Sequence, residues 1–333
     1  MDFHGASNRS PSNGPKANVR AENFEVWLAH SQDGTFSRAV RLLRHRACAW
    51  GGRAQGFEGS EAPIPTVIAN GTELYYERSG TSSVPLVFVH GSWGDHHNWD
   101  AVVPALARSF DVVTYDRRGH SQSPRPSSQG SLHEDAMDLA ALLEGLGVTQ
   151  AHLVGNSFGA AVCLRLATER PELFRSLVVH EPPLFGLLAD DAAMQPLLAE
   201  VRRRVATVIA RLEAGDTVEG ARQFVETIAF GPGAWDTIPE RMRQTFIANA
   251  PTWLDESRDP ESSTLNLEAL GSLRALSLVT HGDESPPFFP AVVAKIAAAL
   301  PKAKQYTFKG AGHVPHLSHS QTYVEVIRGF LSE

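Results

Sequence analysis

The chain has 333 residues, 42% hydrophobic and 20% charged, a balance that supports a large buried core and excludes a collagen-like or wholly disordered chain. Its 30 Lys and Arg against 37 Asp and Glu give a formal charge of -7, which provides no general electrostatic reason to expect nucleic-acid binding. With only 2 cysteines, Cys48 and Cys163, a disulfide framework of the small secreted type is excluded, and both are expected to be free thiols.

In chain order, residues 1 to about 62 read as an extension. The Ser, Asn, Gly and Pro-rich run Gly5 to Gly14 offers little apolar surface against the entropy of ordering and is expected to be disordered. Phe36 to Ala49 carries Arg38, Arg41, Arg44 and Arg46 among Val40, Leu42 and Leu43, the pattern of a short basic helix. Glu22, Glu25 and Asp33 argue against an acid-poor transit segment, so a dispensable extension is the reading. No run approaches the ~18 apolar residues of a membrane span, and no apolar segment follows a basic start. A soluble cytoplasmic protein with no membrane partner is expected.

From Pro63 onward strand-like and helix-like segments alternate, the pattern of an α/β protein with a mostly parallel sheet. Thr66 to Ala69 and Glu73 to Glu77 flank Asn70-Gly71, a two-residue hairpin signal. Pro85 to His90 reads as a buried strand, Asp111 to Tyr115 as another, and Leu132 to Leu146 as a helix. Strands are further expected at Ala151 to Val154, Ser176 to His180, Ala275 to Thr280 and Gln305 to Phe308. Between Leu184 and Asn266 lies a helix-rich insertion of about 80 residues, far longer than an ordinary connection and expected to form a cap. The organisation read is a core of 63–183 and 267–333 with a helical cap over 184–266.

Gly155-Asn156-Ser157-Phe158-Gly159 matches G-x-S-x-G where a strand, AHLV, meets a helix, GAAVCLRLATERP. Glycines at both ends permit a tight turn that holds the serine strained and exposed, at the positive end of the following helix. Ser157 is therefore the candidate nucleophile.

With this motif the chain resembles the α/β-hydrolase superfamily over residues 65 to 333. The resemblance implies a mostly parallel central sheet flanked by helices, with a helical cap inserted after the strand that follows the nucleophile helix. His90-Gly91-Ser92-Trp93 follows the third strand, where the family places part of its oxyanion hole, so the amides of Ser92 and Phe158 are the implied donors. Asp116 to Ser123, DRRGHSQS, resembles the family's turn after its fourth strand and is taken as structural. Gly310-Ala311-Gly312-His313 follows the last strand, where the family carries its general base, which makes His313 the implied base.

The carboxylate that must orient His313 has two candidates. The family's usual position, three residues beyond Gly282, is Ser285, although Asp283 lies close by. Glu181, 24 residues after Ser157, stands where the haloalkane-dehalogenase branch carries its acid, and it is preferred over Asp283. His313, His316 and His319 form an H-x-x-H-x-x-H string, but without a metalloprotease HExxH helix a metal site is the weaker reading, and no metal or organic cofactor is expected. His96 and His97 read as pocket polar groups or surface residues.

A serine in the elbow, rather than the aspartate of dehalogenases and epoxide hydrolases, implies acyl transfer through an acyl-enzyme. The insertion supplies Leu184, Phe185, Leu187, Leu188, Phe224, Ile228, Phe230, Trp235, Phe246 and Trp253, most of which are expected to pack the cap itself. Trp93, Phe185 and Leu188 are expected to face substrate, and a small to medium apolar ester or lactone fits best. Val154 to Gly159, VGNSFG, also resembles the elbow of carbon–carbon hydrolases of ring-cleavage products. His-Gly-Ser here continues into Trp93-Gly94-Asp95 instead of that branch's Gly-Pro-Gly. A non-catalytic small-molecule receptor on the same scaffold is the third alternative.

Overall fold

The computed structural model describes residues 65–333; the expected extension, its basic segment and Cys48 lie outside the described residues. Strands β1 (Thr66–Ala69) and β2 (Thr72–Ser79) form the expected hairpin, with Asn70 and Gly71 at φ 47° and 77°, the left-handed pair that a two-residue turn requires. β3 (Pro85–Val89), β4 (Asp111–Tyr115), β5 (Ala151–Asn156), β6 (Phe174–His180), β7 (Leu276–Gly282) and β8 (Ala303–Phe308) complete one sheet in the order β1-β2-β4-β3-β5-β6-β7-β8. The two pairings made by β2 are antiparallel and all later ones are parallel.

Helices cover both faces, which is why β3 and β5 read as unbroken apolar runs. Their side chains divide by alternation: Val87, Val89, Leu153, Leu177 and Val279 enter one apolar cluster, and Leu86, Phe88, Val154, Val178 and Leu278 the other. The first face is covered by α1 (Leu132–Gly145) and α2 (Phe158–Glu169), among others. The second packs Trp99, Leu106 and Phe110 with Tyr323, Ile327 and Phe330 of the C-terminal helix. Each fully buried Leu, Val or Phe contributes about 1.5–3 kcal/mol from burial, so these layers carry most of the stability of the sheet. α1 starts where Ser131 accepts from the Glu134 N–H, with Glu134 and Asp135 in its first turn, as a capped helix should.

Between β6 and β7 the chain is helical: α3 (Gln195–Glu213), α4 (Thr217–Phe224) and α5 (Glu240–Arg258). These helices share a third apolar cluster around Val208, Ala221, Trp235, Phe246 and Trp253, into which Trp93 of the loop after β3 also inserts. α6 (Phe288–Ala299) follows β7, and α7 (Ser320–Leu331) closes the chain. Among the described residues no helix is long and apolar enough to cross a membrane.

Candidate active site

The site collects at the carboxyl ends of the parallel strands, where loops leave the sheet without backbone partners. β5 ends at Asn156, and Ser157 follows at φ 56°, ψ -125°, a conformation that a non-glycine residue holds only under strain. Both flanking glycines are required sterically. A Cβ on Gly155 would lie 2.4 Å from the Gly159 carbonyl oxygen, and one on Gly159 would lie 2.2 Å from that of Val89. The Ser157 N–H donates to the His180 carbonyl at 2.9 Å, while its side chain makes no capping bond to α2.

Glu181 follows β6, again at a positive φ of 46°, and is fully buried. Its Oε1 accepts from the Gly282 N–H at 2.7 Å, and its Oε2 lies 2.7 Å from His313 Nδ1. Burial by itself would raise the carboxyl pKa, but the His180 and His313 imidazoles outweigh it and hold Glu181 below the usual carboxylate range. His313 Nδ1–H donates to the carboxylate, so Nε2 is the ring nitrogen that this contact leaves unused. The Asn156 side-chain amide donates to the His313 carbonyl at 3.0 Å, tying the His313 loop to the residue before Ser157. The ring of Phe289 stacks on His313 with centroids 4.9 Å apart.

Of the two carboxylates expected near the base, the structure brings Glu181 to His313 and leaves Asp283 elsewhere. Asp283 accepts from the Gly310 N–H at 2.7 Å and faces Lys309 at 3.4 Å, which makes it a staple of the turn after β8. His316 is buried against Trp99 and Tyr323, and His319 faces Ser318. Among the described residues the histidine string does not gather three donors around one point; the single group that does is Asp95, His96 and His97. In that group Asp95 accepts from the His97 N–H at 3.0 Å, His96 Nδ1 lies 2.7 Å from Asp116, and His97 Nδ1 lies 3.2 Å from Asp100.

The loop His90 to Trp93 lies against the serine: a Cβ on Gly91 would come within 2.9 Å of Ser157 Cβ. The His90 ring is buried and pushed down to about 3, by desolvation first and by the Arg117 guanidinium second, so it is neutral. Its Nε2 accepts from the Arg117 N–H at 2.9 Å, which leaves Nδ1–H to donate to the Gly91 carbonyl at 2.8 Å. Phe158 opens α2, so the residue four back, Val154, lies in β5 and offers its N–H no helical carbonyl.

Two expectations for substrate-facing residues require correction. Trp93 is fully buried, its ring stacked on Phe224 at 4.5 Å and beside Trp253 at 5.0 Å, so it anchors the loop in the insertion. Leu188 is likewise fully buried in the main apolar cluster. Both side chains satisfy helix packing and present no surface to a ligand. Phe185 is half-buried against Phe288 and Phe289, at 5.0 and 5.7 Å, and so stands one ring away from His313. Sequence reasoning missed Phe289, for which the apolar pair Phe288-Phe289 gave no signal beyond core. It also missed Glu256 of α5, whose Oε2 accepts from the Ser92 hydroxyl at 2.5 Å.

A family model described as alpha/beta hydrolase fold matches residues 84–320. The chain is 29% identical over 282 residues to 2-hydroxymuconate semialdehyde hydrolase of Pseudomonas sp. strain CF600, covering 80% of this chain and 93% of that protein. It is 33% identical over 180 residues to the dihydrolipoyllysine-residue acetyltransferase component of the acetoin cleaving system of Pseudomonas putida. That match covers 54% of this chain and 48% of the relative, so the chain spans about half the length of that protein. Among solved structures, Est816, described as an N-acyl homoserine lactone degrading enzyme, superposes with a TM-score of 0.61 at 25% identity, covering 80% of this chain and 100% of that one. An esterase from Thermogutta terrifontis superposes with a TM-score of 0.66 at 22% identity, covering 81% and 98%, and shares the fold.

Proposed function

From the premise that this chain belongs to the alpha/beta hydrolase fold family and is a hydrolase, we propose that it cleaves carboxylic esters or lactones of small to medium apolar substrates through an acyl-enzyme on Ser157. The observation that carries the reading is His313 held through Nδ1 by the buried Glu181 beside the strained Ser157 turn. A serine hydroxyl is a poor nucleophile at neutral pH, and the free Nε2 of His313 takes its proton as Oγ attacks the carbonyl carbon. The Ser92 and Phe158 amides stabilise the developing oxyanion; one such donor is worth about 3 kcal/mol. His313 returns the proton to the leaving alkoxide, then activates the water that releases the acid. The helical insertion over 184–266 acts as a cap, and Phe185 and Phe289 form the apolar wall beside the base. The likeness to Est816, a lactone-degrading enzyme, supports the substrate class.

Hydrolysis of p-nitrophenyl esters from acetate to decanoate, by wild type and Ser157→Ala, tests this. Turnover that falls about 10³-fold or more in the variant supports the reading. A second reading, carbon–carbon bond hydrolysis of ring-cleavage products, is favoured by the similarity to the semialdehyde hydrolase over 80% of this chain. Under that reading simple esters are left intact and a coloured dienolate is bleached with the same dependence on Ser157.

A further inference from the structure

We infer that Glu256, contributed by the insertion helix α5, is a positioning residue that aims the Ser92 amide at the oxyanion; the inference rests on the function proposed above. The Gly91 carbonyl and the Ser92 N–H belong to one planar peptide, so whatever fixes the carbonyl and the Ser92 side chain also fixes the direction of the N–H. Glycine at position 91 is required by the closeness of Ser157, and it leaves this peptide with little intrinsic resistance to rotation. The peptide therefore has to be held from outside.

Glu256 reaches it by two routes. Directly, its Oε2 accepts from the Ser92 hydroxyl at 2.5 Å. Indirectly, its Oε1 pairs with the fully buried Arg117. Arg117 in turn donates through its backbone N–H to His90 Nε2 at 2.9 Å and through Nε to the His90 carbonyl at 3.2 Å. His90 then holds the Gly91 carbonyl at 2.8 Å. The other groups facing this carboxylate are Asp135, which takes the second arm of Arg117 at 2.7 Å, and the neutral His120, 3.8 Å away. Arg117 also lies 4.9 Å over the ring of Phe158, whose amide is the second oxyanion donor.

The same face of α5 grips the neighbouring backbone. Asn249, two helical turns before Glu256, donates to the Gly94 carbonyl at 2.8 Å and accepts from the Ser121 N–H at 2.8 Å. Between them, the Thr252 hydroxyl donates to the Gly119 carbonyl at 2.5 Å. This helix is thus bolted to both loops around the oxyanion site and completes it.

The test is stoichiometric labelling by diethyl p-nitrophenyl phosphate, whose attack by Ser157 develops charge on a phosphoryl oxygen and releases p-nitrophenolate. Labelling rate and reversible affinity are read separately. Ser92→Ala keeps the amide and the Arg117–Glu256 pair, so it folds as wild type and is expected to label about 10-fold more slowly at unchanged affinity, with Ser92→Thr restoring most of the rate. Glu256→Gln, which weakens both routes, is expected to slow labelling about 100-fold. The double variant is expected to be no slower than Glu256→Gln alone, because one chain of contacts has been cut twice. Rates within about twofold of wild type in both single variants, with Ser157→Ala unlabelled, overturn the positioning role and leave the hydrolase reading intact. A wild type that is not labelled at Ser157 overturns both.

Discussion

His313 Nδ1 stands 2.7 Å from Glu181 Oε2, and the carboxylate that makes this contact lies 132 residues away at the end of β6. Glu181 is turned inward by a left-handed backbone, its N–H bound to the Thr280 carbonyl at 3.2 Å and its second oxygen to Gly282. Three adjacent strands thus share one buried charge, and the imidazole that meets it is fixed in both tautomer and orientation.

Glu181→Gln should therefore lower the acylation rate by about 10²–10⁴-fold, because an amide facing Nδ1 no longer enforces the tautomer with a free Nε2. Asp283→Asn should stay within about threefold, since Asp283 serves the Gly310 turn. Pre-steady-state release of p-nitrophenolate by the two variants separates these outcomes, and equal losses would remove Glu181 from its assigned role.

The histidine before that acid sets a pH dependence. Burial pushes His180 down to about 4, against partial compensation from Glu181. A base whose folded-state pKa is depressed binds fewer protons folded than unfolded, so the fold loses stability as pH drops from about 6.5 towards 4. The offset corresponds to a loss on the order of 3 kcal/mol. Glu181, depressed as a carboxylate, adds its own loss as pH falls below its unfolded value near 4.5. Urea unfolding from pH 7 to 4 should give a shallower decline for His180→Gln than for wild type; parallel curves would contradict the neutral, buried state of this ring.

The elbow glycines should be far less replaceable than glycines that only turn the chain. At Gly159 an added Cβ meets the Val89 backbone, which cannot yield without moving the central strand, so Gly159→Ala should cost at least about 3 kcal/mol and abolish Ser157 labelling. Gly147 has φ 71° and nothing within 4 Å of its Cβ, so Gly147→Ala should cost only the left-handed penalty of about 1–2 kcal/mol. Urea midpoints compare the two directly.

These positions also mark what could be read from the chain alone. The elbow, the hairpin and the strands from β3 onward are legible because glycine placement and short apolar runs bounded by turn residues are local properties, and the strand ends differ from expectation by only one or two residues. The choice between Glu181 and Asp283 is not settled locally, since both follow core strands and the left-handed turn at Glu181 brings that one to His313. Glu256 was invisible for the same reason at longer range: its partner Ser92 is 164 residues away, and a glutamate near the end of an insertion helix reads as a solvated face. Trp93 looks like pocket because it is an apolar residue beside a site motif, whereas the apolar cluster that claims it is assembled from three insertion helices, with its aromatic partners on two of them.

That correction separates packing residues from pocket residues in a measurable way. Leu188→Ala removes a fully buried side chain and should cost about 2–5 kcal/mol, with KM for a hexanoate ester unchanged at a temperature where the variant is folded. Phe185→Ala opens the half-buried ring one position from the base and should raise KM for hexanoate and decanoate esters several-fold, leaving acetate nearly unaffected. Each methylene that loses its apolar wall forfeits up to about 0.8 kcal/mol of binding, so the effect must grow with acyl length until the ester outruns the site. Phe289→Ala should behave differently from both, because its ring lies on His313: it should lower kcat for every ester, by freeing the imidazole to rotate about its bond to Glu181. An acyl-length dependence that followed Leu188, with none at Phe185, would place the substrate wall on the opposite side of the base.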